Sequence, residues 1–214
     1  MDLVFTTWEY AIGHLDELRQ ATTDHLILVT ISLVISVVIC IPLGVWTSRS
    51  WSKSNMIINA INGLRVIPSL AILFLLVPYM GVGLDTAIIA LTILAMPPIL
   101  VNTDAAFRTI NPAIKEAAAG MGMTKKQILR KVEFPLALPI ILTGIRTAST
   151  EVIASATLAA FIGSGGLGLY IQRGYAMYQL SILFVGAIPI ALLVLASEAL
   201  LSSLQRAIQS YKSV

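Results

Sequence analysis

Arg65, Arg146 and Glu151 sit within or beside long apolar runs of the chain. Charges in such places face a protein interior or a wet cavity. Glu151 would either line a pathway or hold a buried partner, and both readings stand. Arg146 follows Pro135 by about 16 Å if the intervening chain is helical, so Arg146 and Arg65 suit an inner interface. Gly163-Ser164-Gly165-Gly166-Leu167-Gly168 has the G-x-G-x-x-G spacing that can cradle a dinucleotide. That chemistry needs a strand before it, a helix after it and an acid about 20 residues on. The next acid is Glu198, inside another apolar run. Gly163, Gly165, Gly166 and Gly168 therefore read as a flexible outer loop reaching to Gln179, either a gate or a plain connection. His14 and His25 lack metal-like spacing to Cys40 or to acids, and read as surface or interfacial histidines. Nucleophile elbows, paired catalytic acids and a Walker lysine motif are absent. We expect no catalytic residue, no metal site and no cofactor bound by this chain.

The elements that position these residues are set by composition. The hydrophobic fraction is 57% and the charged fraction 12%; mean hydropathy is +0.88. Soluble domains are near one-quarter charged, so the chain reads as a polytopic membrane protein. Long uncharged runs lie between His25 and Arg49, Arg65 and Asp85, Asp85 and Asp104, Glu151 and Arg173, and Arg173 and Glu198. Each approaches the roughly 20 residues that cross a bilayer as a helix. The fold class is an all-α membrane bundle of about five to six spans. Segments are expected near residues 26–47, 56–80, 86–107, 135–161 and 180–204. Residues 1–25 form an extracytoplasmic segment with the makings of a short amphipathic surface helix, Trp8 and Tyr10 at the interface. Residues 26–206 form the transmembrane body with a cytoplasmic loop 108–135, and residues 207–214 a cytoplasmic tail. No cleavable leader is expected.

Of the fourteen Lys and Arg, most fall on one side. Arg49 and Lys53 follow the first segment. Arg108, Lys115, Lys125, Lys126, Arg130 and Lys131 fill the loop 108–135, and Arg206 and Lys212 follow the last segment. By the positive-inside rule that side is cytoplasmic, placing the N-terminus outside and the C-terminus inside. The net charge of +3 is thus a topology signal and not a nucleic-acid site; the loop lysines can meet anionic headgroups.

The loop has its own helix grammar. Asn111 is a good N-cap and Pro112 fits the first helical position. Three alanines, 117–119, favour helix, and Gly120 and Gly122 supply a bend. Thr124 and Gln127 form a capping box for a second helix that stops before Pro135. Ala117, Ala118 and Ala119 would let a partner surface approach closely.

Glu116-Ala117-Ala118, Gly122 and Pro135 resemble the EAA loop of permease subunits in bacterial ABC importers, with Val132 and Phe134 at positions usually Ile and Leu. Val66-Ile67-Pro68-Ser69-Leu70-Ala71 and Ala156–Gly168 look like stretches of the osmoprotectant permeases for glycine betaine, carnitine and choline (the Opu group). The resemblance implies a type I ABC importer permease fold and alternating access. Glu116, Ala117, Ala118, Ala119, Gly120 and Gly122 would couple to an ATPase. It implies as partners a pair of ATP-binding subunits carrying ATP and Mg, a second permease subunit, a separate extracytoplasmic substrate-binding protein and the lipid bilayer. The alternatives are a permease for another small solute such as methionine, and an ion- or proton-coupled carrier in which Glu151 carries the proton.

Overall fold

The computed structural model describes residues 2–210, and all regular structure among them is helical. The elements are α1 (Asp2–Gly13), α2 (Leu15–Thr47), α3 (Trp51–Leu64), α4 (Ser69–Met80), α5 (Leu84–Arg108), α6 (Pro112–Gly120), α7 (Lys125–Ile128), α8 (Phe134–Ala159), α9 (Gly168–Ala176) and α10 (Leu180–Ser210). A π turn, Leu129–Glu133, joins α7 to α8, and a 3₁₀ turn, Ala160–Ile162, follows α8. Lys212, counted above on the inner side, lies outside the described residues.

The core is a three-helix stack of α2, α5 and α8. Water drives no helices together within lipid, so close backbone approach and interhelical hydrogen bonds must do so. Ser32, Ser36, Cys40 and Gly44 repeat every four residues and form one face of α2. Ser32 Oγ donates to Ile88 O at 3.3 Å, Ser36 Oγ to Thr92 O at 3.0 Å, and Cys40 Sγ to Met96 O at 3.6 Å. The constant offset between partners means that α2 and α5 run parallel. At Gly44 an added Cβ would lie 2.6 Å from Thr103 Cβ. Gly144 of α8 is equally tight, with Pro98 O 2.7 Å from such a Cβ.

Two parallel helices in sequence require a return path between them. The segment expected near residues 56–80 is two helices. The path is α3 and α4, bent by 91° where they meet. Pro68 explains the break: it has no N–H to donate, and it disfavours helical backbone at Ile67. Three helices, α2, α5 and α10, are long and apolar enough to cross a membrane, or four spans if the bent pair counts as one. That is fewer than the five to six expected. Helix α8 is not among those helices, although it is long enough at roughly 39 Å; it carries Arg146 and Glu151 in its interior.

Four further expectations change. The first segment, expected near residue 26, begins earlier: α2 starts at Leu15, with Asp16 and Glu17 in its first turn favourably placed against the helix dipole. The helix before Pro135 does not stop. It passes through the π turn into α8, whose first turn holds Pro135, where a missing N–H costs little. The stretch from Gly163 to Gln179 is not a flexible loop. Gly163, Gly165 and Gly166 hold left-handed backbone, and α9 then packs on α10, with Leu167, Tyr170 and Gly174 buried. His25 is not interfacial either. It is fully buried, and its Nε2–H donates to Ile153 O at 3.2 Å.

The packing predicts a contrast between two glycines. Gly44→Ala is expected to lower stability by about 2 kcal/mol through overpacking. Gly63→Ala, where an added Cβ meets nothing within 4 Å, is expected to be neutral or to stabilise by about 0.5 kcal/mol. Thermal unfolding of the purified variants in one detergent checks both.

Candidate functional site

The end of the bundle that bears the basic loop 108–135 carries the candidate site, and its first part is α6. Asn111 caps the helix by accepting from Ala113 N at 3.0 Å, and Pro112 occupies the first turn. The helix ends in a Schellman motif: Met123 N donates to Ala118 O at 3.2 Å and Gly122 N to Ala119 O at 2.9 Å. Gly122 has φ of 79°, which requires glycine or strain. Gly120 is ordinary helix in open space, so the expectation that both glycines make the bend is corrected: Gly122 makes it alone. Thr124 and Gln127 form the expected capping box.

Ala118 also departs from its expected place on a partner-facing surface. It is 2% exposed, turned towards the protein. Glu116, Ala117, Ala119 and Gly120 are exposed. The helix therefore divides into an inner anchor and an outer surface of small side chains around one carboxylate.

The second part is an ion network beneath α6. The Glu133 side chain, 3% exposed, accepts from Arg49 Nη2 at 2.6 Å and from Nη1 at 2.9 Å. Lys115 Nζ of α6 lies 3.2 Å from the same carboxylate. Beside it, Arg108 Nε donates to Asp104 Oδ2 at 2.6 Å. Arg108 Nη2 donates to Thr47 O and Ser50 O at 2.9 and 3.0 Å, and Ser54 Oγ donates to Asp104 at 3.1 Å. A buried carboxylate is tolerated when paired and hydrogen-bonded in this way. The network ties α6 and the entry of α8 to the inner end of α2, and that end in turn to α5. Hydrogen bonds from Arg49, aided by Lys115, hold the Glu133 carboxyl below the usual carboxylate range despite the opposing effect of burial. Sequence reasoning missed Glu133, Asp104, Arg49 and Lys115 as a group. The available signal was an acid at each end of a strongly basic loop.

The charges within or beside the apolar runs are paired. Arg65, at the α3–α4 break, donates from Nη2 to Glu151 Oε1 of α8 at 3.0 Å. Arg146 Nε of α8 lies 3.3 Å from Glu198 of α10, and Gln205 of α10 donates to Pro139 O and Thr143 Oγ1 at 3.1 and 2.9 Å. The Gly163–Gly168 set lies at the opposite end of α8 from α6. There Gly166 walls His25, and α9 brings Arg173 to 3.5 Å from Glu17 of α2. Among the described residues no cluster of His, Cys, Asp and Glu could hold a metal ion.

Residues 40–210 match the family described as binding-protein-dependent transport system inner membrane component. The chain is 40% identical over 190 residues to the choline transport system permease protein OpuBB of Bacillus subtilis (strain 168), covering 89% of this chain and 88% of that one. It is 38% identical to the carnitine transport permease protein OpuCB of Listeria monocytogenes, over 96% and 93% of the two chains. It is 36% identical to the osmoprotectant import permease protein OsmW of Salmonella typhimurium, over 93% and 95%. Among solved structures, an inward-facing conformation of the MetNI methionine ABC transporter superposes with a TM-score of 0.82 at 26% identity, over 92% of this chain and 98% of that one.

Because Glu133 has a lowered pKa when folded, its contribution to stability is complete above the unfolded value of about 4.3 and is lost as pH falls through the lower folded value. Glu133→Gln is expected to cost about 2 kcal/mol between about pH 5 and 8. The gap between wild type and variant should close below about pH 4. Denaturant unfolding of both proteins across that range is the check.

Proposed function

As this chain belongs to the binding-protein-dependent transport system inner membrane component family, we propose that it is the membrane-spanning permease subunit of an ATP-driven importer for osmoprotectants of the glycine betaine, carnitine and choline class. The subunit is a transport part and not an enzyme. ATP is hydrolysed, with Mg, on a separate pair of ATP-binding subunits. A second permease subunit completes the conduit, and an extracytoplasmic binding protein delivers the solute. The chain is multi-pass in the cell membrane, with its N-terminus outside and α6 and the C-terminus inside, following the Lys and Arg bias.

The observation that carries this reading is the build of α6. It is a short helix with an outward face of Glu116, Ala117, Ala119 and Gly120, stopped by Gly122 and anchored through Lys115 to the buried Glu133. A motor subunit can seat on small side chains at short range, and the anchor passes its displacement to the spans. The reading assigns Glu116 a hydrogen bond or ion pair with the ATP-binding subunit. Alternation between outward and inward openings follows from the closing and parting of the two ATPases. The relatives named for choline, carnitine and osmoprotectants share 36–40% identity with this chain, against 26% for the methionine transporter structure, which favours the osmoprotectant class over methionine. The family and the named relatives favour this reading over a proton-coupled carrier.

The test is reconstitution with the ATP-binding subunits and the binding protein in vesicles, followed by uptake of labelled glycine betaine, carnitine, choline and methionine. We expect ATP-dependent uptake of at least one of the first three, none of methionine, and no inhibition by a protonophore. Ala119→Arg is expected to insert normally while cutting both ATPase retention on the permease and uptake by about tenfold. Normal uptake in that variant would count against α6 as the docking element.

A further inference from the structure

The ion pair Arg65–Glu151 differs in kind from the knot at Glu133. Its side chains are 48% and 38% exposed, whereas Glu133 is almost fully enclosed. Among the described residues one hydrogen bond joins the two groups, which leaves Glu151 Oε2 and further guanidinium N–H groups directed at no protein partner. Both residues line a cavity of about 450 Å³ between the α3–α4 break, α5 and α8. That volume is in the range of small-molecule sites. Half-exposed charges beside apolar helices cannot face hydrocarbon at low cost, so the cavity is a wet or protein-covered space.

The α5 wall adds an independent feature. Pro97 and Pro98 have no N–H, so the carbonyls of Ile93 and Leu94 lose their usual donors one turn ahead. Ile93, Leu94 and Pro97 all line the same cavity. Carbonyl oxygens released in this way are partial negative charges that can accept polarised C–H groups. Ser69 and Ser155 add hydroxyls, and no lining residue is aromatic. A cation–π cage, the usual device for gripping a quaternary ammonium, is thus missing from this wall.

Resting on the osmoprotectant reading above, we propose that Arg65 and Glu151 form a relay site for a zwitterion inside the permease. The solute carboxylate takes the guanidinium of Arg65, and its quaternary ammonium end lies against Glu151 and the released carbonyls of α5. The pair parts to admit the solute and closes again when it leaves. In both states each charge has an opposite neighbour, so neither loading nor emptying leaves a lone ion at membrane depth. Exchanging one ion pair for two similar contacts gives weak net binding, which suits a transit site better than a capture site. A cationic solute with no carboxylate, such as choline, uses Glu151 and the carbonyls but not Arg65.

The experiment uses the complete transporter in vesicles with its ATPase and binding protein. It reads import of labelled glycine betaine and of labelled choline, together with binding-protein-stimulated ATP hydrolysis. Arg65→Gln is expected to reduce betaine import about tenfold while choline import stays within about twofold. Glu151→Gln should reduce both about tenfold, with hydrolysis retained in each variant. Arg65→Lys, which keeps the charge, should recover part of the betaine import and substitutes if Arg65→Gln fails to assemble. If the wild type carries betaine alone, betaine imported per ATP hydrolysed is the readout, and it should fall about tenfold in both variants. Equal loss of both solutes in Arg65→Gln marks the pair as structural and overturns the proposal, as does unchanged betaine import in either variant. A wild-type complex that imports neither solute overturns the osmoprotectant reading itself and the relay with it.

Discussion

One buried carboxylate organises the α6 end of this protein. Glu133 lies at the turn where the loop carrying α6 enters α8, nearly sealed from solvent. An ionised carboxylate there is costly unless several donors converge on it. Arg49 comes from just beyond α2 and Lys115 from α6, so the three elements must meet if any is to be stable. The second acid, Asp104, recruits Arg108 and Ser54 and so binds the end of α5 to the start of α3. The consequence is mechanical: α6 cannot move far without carrying the ends of the long helices with it.

Above this knot the bundle is held by shape. The α2–α5 contact uses serines, a cysteine and a glycine at four-residue spacing, with hydroxyls shared between their own helix and the neighbour's carbonyls. Such contacts let helices approach closely without relying on a hydrophobic effect that lipid does not provide. The α3–α4 element is different. It is broken at Pro68, thinly covered, and lines the cavity that holds Arg65 and Glu151. A tightly tied α6 end and a broken, cavity-lining element are the two features that the proposed alternating access would use: one part to receive force and one part to change accessibility.

Local grammar was legible in the sequence. Asn111, Pro112, Thr124 and Gln127 take the capping roles that their types and spacing predict, because each acts within one helical turn. The family resemblance rested on Glu116, Ala117, Ala118, Gly122 and Pro135, and family membership agrees with it. What was not legible depended on long-range contacts. His25 looks interfacial until α8 and Gly166 close around it. Ala118 is indistinguishable in type from Ala117 and Ala119, and only the packing of α6 decides which face is buried. Glu133 finds Arg49 across 84 positions of sequence, and no periodicity encodes such a pair. Pro68 in the Val66–Ala71 stretch is a residue type that kinks or ends a helix, but the size of the bend, 91°, is not legible from hydropathy, which is blind to direction. The glycines from Gly163 to Gly168 were read as flexibility, yet three of them serve left-handed backbone and Gly168 lies where a side chain would strike Thr157 and Ala160.

The central claim is that α6 and the adjoining ends of the long helices move as one body. Spin labels at Met121 and Ile39, both exposed, in the assembled transporter measure this directly by pulsed electron resonance. The account requires the interlabel distance to stay within about 2 Å between nucleotide-free and ATP-trapped states, and to broaden when Glu133 is replaced by Gln. A wild-type shift of about 5 Å or more on ATP trapping would show that the loop hinges on its own and would contradict it.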